Sequence, residues 1–247
     1  MVPIQPLIGC AGWSLPTSER AHFAEGGSLL ERYASRFPAA EINSSFHRPH
    51  RPATYARWSA SVPADFRFSV KIPKAITHGL RLQGADILLE TFLEESAGLG
   101  DRLGCLLVQL PPSLSFEPGV ATAFFTALRS RSPAPVACEP RHASWFTPEA
   151  DETLIRSEVA RVAADPARVP AAGEPGGWPE LVYFRLHGSP RIYYSAYEEE
   201  YLDALASRLE EHAAAGGQAW CIFDNTVLGA ATRNALDLLL KTGTARR

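Results

Sequence analysis

The run LGCLLVQL, Leu103 to Leu110, is too continuously apolar for a strand with one wet face. A near-unbroken run of this kind is what a parallel sheet covered on both faces requires, because crossover helices take the place of solvent. The segment is therefore expected at the centre of such a sheet. Around it, short apolar runs alternate with helix-length amphipathic segments, which is the rhythm of repeated βα units.

Further strands are expected around Pro6 to Cys10, at AAEIN from Ala39, and at FRFSVKI from Phe66 to Ile72. Others are PVACE ending at Glu139, EVARVAAD ending at Asp165, LVYFRLHG from Leu181 and AWCIFDN from Ala219. Helices are expected from Ser28, over about 53–61, 86–99 and 118–129, from Thr147 with Pro148 in the first turn, over about 198–215, and from Gly229. Gly216 and Gly217 stop the helix before the last strand. The Gly/Pro-rich stretch over about 166–180 reads as a long surface loop, since the alternation resumes after it.

The count is about eight strands and about eight helices in strict alternation, which predicts an α/β fold: a single (β/α)8 TIM-type barrel domain over residues 1–247. An open doubly wound sheet would more often carry a glycine-rich phosphate loop, and no G-x-G-x-x-G or G-K-[ST] occurs.

Barrels of this type place ligands at the C-terminal ends of their strands. Polar residues recur at those ends here. Strand two ends in Glu41 and Asn43, strand three in Lys71, strand four in Gln109, and strand five in Glu139 followed by Arg141 and His142. Strand six ends in Asp165, strand seven in Arg185 and His187, and strand eight in Asp224 and Asn225. Glu41 and Asn43 share one face by the two-residue strand period, as do Arg185 and His187. Burying such groups without partners costs about 1 to 3 kcal/mol each, and more for charges, so a shared polar rim is expected.

Composition narrows the partners. The 247 residues are 46% hydrophobic and 21% charged with a net charge of -3, an ordinary globular balance that gives no whole-protein attraction to nucleic acid or anionic membrane. Arg246 and Arg247 read as a solvated tail. The four cysteines, Cys10, Cys105, Cys138 and Cys221, lie far apart in apolar runs and read as buried hydrophobes. With no basic, apolar leader and no run of roughly 18 apolar residues, the cytoplasm is the expected compartment and no membrane partner is expected. The pattern specifies no oligomeric state.

The segments GCAGW (9–13), EINSSF (41–46), KIPKAITH (71–78), QLPP (109–112), EPRHASW (139–145), RLHG (185–188) and FDNT (223–226) together resemble the YecE-like family, the "domain of unknown function 72" proteins. They span nearly the whole chain in the family's order. The resemblance implies a TIM-type barrel and brings no activity with it. Two departures bear on transfer of roles: His47 stands where the family usually has tyrosine, and Asp224-Asn225 where it usually has two asparagines.

The residues favour a metal-independent acid/base enzyme acting on a small anionic substrate, phosphate- or carboxylate-bearing and sugar-like. Glu41 or Glu139 is the expected base, His187 the acid/base partner, and Lys71, Arg141 and Arg185 the clamps on charge. Lys71 also suits imine chemistry if it is desolvated among cations. Trp13, Asn43, Gln109, His142, Tyr197, Asp224 and Asn225 complete the expected substrate-binding set, with Tyr193 and Tyr194 as wall residues. No cofactor is expected. A divalent metal held by Glu41, Glu139, Asp165, Asp224 and His187 is the alternative, and the H-x-x-H at His47 and His50 is a weak second candidate. The third reading is non-catalytic binding of an anionic ligand or of nucleic acid, through the cations and aromatics of His47 to Trp58.

Overall fold

The computed structural model describes residues 5–244, so Arg246 and Arg247, expected as a tail, lie outside the described residues. The strands are β1 (Leu7–Ala11), β2 (Ala39–Ile42), β3 (Arg67–Lys71), β4 (Leu103–Gln109), β5 (Val136–Glu139), β6 (Val159–Arg161), β7 (Ala163–Asp165), β8 (Gly176–Gly177), β9 (Leu181–Leu186) and β10 (Gln218–Phe223). They form one sheet in the order β7-β9-β10-β1-β2-β3-β4-β5-β6-β8. Every pairing is parallel except that of β8 with β6.

The helices are α1 (Leu29–Ala34), α2 (Pro52–Ala60), α3 (Asp86–Ser96), α4 (Pro118–Arg131), α5 (Pro148–Arg156), α6 (Glu199–Ala214) and α7 (Ala230–Lys241). Ser28 opens α1 with a capping box: its side chain accepts from the Glu31 N–H, and the Glu31 carboxylate accepts from the Ser28 N–H at 2.6 Å. Thr147 caps α5 with its side chain alone, accepting from the Ala150 N–H, with Pro148 at the first helical position.

Strict alternation fails at the sixth unit. The expected single strand EVARVAAD is two, β6 and β7, separated at Val162, and no α-helix follows before β9. In its place the Gly/Pro-rich stretch holds a 3-10 turn over Pro170–Gly173 and the two-residue β8. The break has a geometric cause. β6 pairs with β5 while β7 pairs with β9, so the sixth strand changes neighbours at Val162 and closes the sheet into a barrel. Seven α-helices therefore stand among the described residues where about eight were expected.

Side chains divide into two apolar layers. One lies between sheet and helices and includes Val70, Leu106, Val108, Phe184 and Phe223. The other fills the lumen with Ala39, Cys105, Leu107, Ala137, Tyr183, Trp220 and Ile222. The β4 run supplies both layers, Leu106 and Val108 outward and Cys105 and Leu107 inward, which is why it is apolar on both faces. One two-residue step beyond the lumen layer, the inward positions become Glu41, Gln109, Glu139, Arg185 and Asp224. All four cysteines are buried and unpaired. Among the described residues, no helix is long and apolar enough to cross a membrane.

Candidate functional site

Arg185 is the centre of this polar layer and is 1% exposed. Its Nε and Nη2 donate to Glu41 Oε2 and Oε1 at 3.0 and 2.8 Å, and its Nη1 donates to Glu139 Oε2 at 3.1 Å. Nη2 also lies 2.9 Å from Asp224 Oδ2. Glu41 thus pairs with Arg185 and not with Lys71 on the adjacent strand: the planar guanidinium fork matches the carboxylate on two edges, which a point-like ammonium cannot do. Tyr183 Oη, one lumen layer below, lies 3.0 Å from Glu41 Oε2 and 2.9 Å from Ser69 Oγ.

His187 completes the cluster, with Nδ1 3.0 Å from Asp224 Oδ2 and Nε2 3.2 Å from Glu139 Oε1. Burial opposes its protonation, but the Glu139 carboxylate and the bonds to Asp224 and Glu139 outweigh burial and raise its pKa above the ordinary value. A histidine with a carboxylate at each ring nitrogen is held as a donor at both, which suits it to giving a proton. Gly188 makes the turn that follows, at φ 93°, and its N–H donates to Tyr197 Oη at 2.8 Å.

Glu139 Oε1 also accepts from Arg141 Nε and Nη2 at 3.0 and 2.8 Å. Burial alone would raise the Glu139 pKa, but Arg185, Arg141 and His187 hold it well below the ordinary carboxylate value. Asp224 is lowered in the same way, with Arg185 and His187 outweighing burial. A carboxylate so stabilised as an anion is a weak proton acceptor, and the Glu139 oxygens meet Arg141, Arg185 and His187 together.

Lys71 behaves differently. It is 5% exposed, yet no carboxylate lies within ion-pair distance of its Nζ among the described residues. Nζ donates to Asn43 Oδ1 at 3.1 Å and lies 4.1 Å from the centroid of the Phe46 ring. Burial and then the Arg185 charge lower its pKa to about 8, against the weaker opposing pull of Glu41, Glu139 and Asp224. Gln109, 6% exposed at the end of β4, has a side-chain amide with no hydrogen-bond partner among the described residues.

The other expected residues are placed elsewhere. His142 Nδ1 lies 2.8 Å from Ser144 Oγ and caps the 3-10 turn Ala143–Trp145. Trp13 packs edge-on against Trp58 and Phe68 in the layer between sheet and helices. Tyr197 Oη lies 2.9 Å from Asp165 Oδ1, so both brace the Gly188 turn. Asn225 Nδ2 donates to Ser195 O at 2.8 Å and to Asn234 Oδ1 at 3.1 Å, fixing the loop after β9 against α7. His47 is exposed, and His50 Nε2 lies 2.8 Å from Ser44 Oγ.

Sequence reasoning passed over Tyr183, Ser69 and Phe46. The first two were reachable by stepping back two residues from Arg185 and Lys71 on their strands. A cleft of about 440 Å3 opens above the layer, lined by Glu139, Arg141, His187, Arg168, Ile192 and Tyr193. Tyr193 stands edge-on to the His187 ring, with centroids 5.9 Å apart.

The carboxylates do not suit a divalent metal. Arg185 already stands among Glu41, Glu139 and Asp224, where a metal ion would have to be, and among the described residues no group of three or more His, Cys, Asp or Glu is placed to hold one.

Fold and polar layer together define a TIM-type barrel with a buried, ion-paired network at the C-terminal ends of its strands. The chain belongs to the family described as protein of unknown function DUF72, whose pattern matches residues 7–247. It is 33% identical over 171 residues to UPF0759 protein YecE of Escherichia coli K12, covering 67% of this chain and 61% of that protein. With UPF0759 protein YunF of Bacillus subtilis it shares 24% over 147 residues, 57% of this chain and 52% of the relative. The matched region thus spans only part of the length of these relatives. Among solved structures, a DUF72 family protein from Thermotoga maritima superposes with a TM-score of 0.76 at 25% identity, covering 95% of this chain and 97% of that one. One from Enterococcus faecalis gives 0.77 at 23% identity, covering 96% and 97%.

Proposed function

We propose that the mouth of the barrel binds a small anionic substrate and carries out metal-independent acid/base chemistry on it. The observation that carries this reading is Lys71: a buried ammonium without a carboxylate partner, with an unpartnered Gln109 amide on the adjacent strand, in a layer where every other charge is paired. Burying an unpaired charge is costly, and it is sustained where a ligand supplies the counter-charge.

In this reading Lys71 and Arg141 hold the substrate's carboxylate or phosphate, and Asn43 and Gln109 bond its neutral polar groups. His187, protonated between Glu139 and Asp224, delivers the proton. Arg185 holds Glu41, Glu139 and Asp224 in fixed positions so that charge developing on the substrate meets oriented dipoles and cations.

Calorimetric titration with inorganic phosphate and with pyruvate tests the reading. Binding of either anion is expected, weakened about tenfold or more by Lys71→Met and by Arg141→Ala, the loss of one charge-assisted bond. Absence of binding by both anions, or binding indifferent to both substitutions, would count against it.

A further inference from the structure

The sequence contains three lysines, Lys71, Lys74 and Lys241, and each has a different setting. Lys74 is exposed. Lys241 Nζ lies 3.2 Å from Glu199 Oε1 and 2.5 Å from Asp203 Oδ1, so its charge is matched. Lys71 alone is buried with no matching carboxylate, held by one hydrogen bond to an amide oxygen and by the face of an aromatic ring. Desolvation favours the neutral amine over the ammonium. That serves a nucleophile, because only the neutral form has a free lone pair.

We propose that Lys71 is a covalent catalyst whose ε-amine condenses with the carbonyl carbon of a small aldehyde or ketone that also carries a carboxylate or phosphate. The inference rests on the anionic-substrate reading above, names the substrate class for it, and moves Lys71 from gripping the anion to attacking the carbonyl, leaving the anion to Arg141. Asn43 Oδ1 accepts one N–H and so directs the nitrogen lone pair away from itself. The lone pair adds to the carbonyl carbon, the carbonyl π pair moves to oxygen, and a proton passes from nitrogen to that oxygen to give a carbinolamine. Loss of hydroxide, protonated to water by solvent, leaves a protonated imine. The Phe46 ring, 4.1 Å from Nζ, faces the resulting cation as it faces the ammonium. The free Gln109 amide supplies a donor for the carbinolamine oxygen, and Arg141 holds the anionic tail. The lowering of the Lys71 pKa to about 8 leaves roughly a tenth of the amine neutral at pH 7.

Reductive trapping tests this on the whole chain. The protein is incubated with pyruvate, dihydroxyacetone phosphate or acetone in the presence of cyanoborohydride, and adducts are located by peptide mass spectrometry. The expected result is one adduct at Lys71, formed about tenfold or more faster than at Lys74, and faster with pyruvate or dihydroxyacetone phosphate than with acetone. The preferred anion separates a carboxylate from a phosphate substrate. Lys71→Arg is expected to remove this adduct and leave the Lys74 rate unchanged, and comparison within one native sample keeps the test independent of that variant's folding. Labelling of Lys71 no faster than Lys74 with all three carbonyls overturns the proposal, and equal labelling by acetone overturns the substrate class. Calorimetry with inorganic phosphate separates the two levels. Phosphate binding that depends on Lys71, without an adduct, removes the imine and leaves the anion site, whereas neither binding nor adduct removes both.

Discussion

Arg185 and Glu41 lie 144 residues apart in the chain and meet across the barrel lumen through two parallel hydrogen bonds of 2.8 and 3.0 Å. Through them β9 is tied to β2, strands that are not neighbours in the wall. The same guanidinium reaches Glu139 and Asp224, so one cation sets the positions of carboxylates from three strand ends.

Replacing Arg185 by methionine leaves those carboxylates buried without their shared cation. A loss of about 3–5 kcal/mol in unfolding free energy is expected, measured by urea denaturation. Arg185→Lys keeps the charge but not the fork, and is also expected to be destabilised.

His187 makes stability depend on pH. Its folded pKa is raised, so its contribution is complete below the unfolded value of about 6.5 and is lost as pH rises through the higher folded value. The stability difference between the wild type and His187→Gln is expected to be largest under mildly acidic conditions and to shrink on the alkaline side. Denaturant unfolding at a series of pH values reads this directly, and a constant difference would contradict a raised pKa.

Lys71 has the opposite sign. Its folded pKa, about 8, lies below the unfolded one, so the protonated lysine costs stability at neutral pH, and the cost falls as pH rises from about 8 toward the unfolded value. Lys71→Met is expected to raise thermal stability at pH 7 by up to about 3 kcal/mol while weakening anion binding. A variant that gains stability and loses binding marks a residue kept for its chemistry.

Gly188→Ala places a Cβ 2.9 Å from Ser195 O at a φ of 93°. The left-handed conformation alone costs an alanine about 1–2 kcal/mol. The turn holding His187 is expected to shift, giving a lower melting temperature and a displaced His187 imidazole resonance in NMR spectra.

The barrel was legible because period and burial agree: the β4 run is apolar on both faces, and two of the helices carry clear start signals, Ser28 at α1 and Thr147 with Pro148 at α5. The polar layer was legible because one strand period fixes which residues share the inner face. The sixth unit was not. EVARVAAD reads as one short, mostly apolar strand, and nothing local records that its first half bonds to β5 and its second to β9.

Partner choice in the layer was equally hidden. Glu41 has Lys71 on the adjacent strand, yet its bonds go across the lumen to Arg185, because the long forked side chain spans the distance and the lysine turns to Asn43. His142 and Asn225 lie just past strand ends that carry site residues, and Tyr197 lies in the loop before α6, but their bonds go to Ser144, Asn234 and Asp165, which hold loops in place. Position along a strand assigns a residue to the rim; only the directions of side chains divide grip from scaffolding.

The change of neighbours at Val162 makes the wall a hoop with a single clasp. Each half of the sixth strand, three residues long, grips one side of the hoop, and the continuous chain between them is the link. Releasing either short ladder would let the ring spread into an open sheet while the other strand pairs kept their bonds. The cleft, with Ala164 from one of those halves in its lining, lies at that clasp.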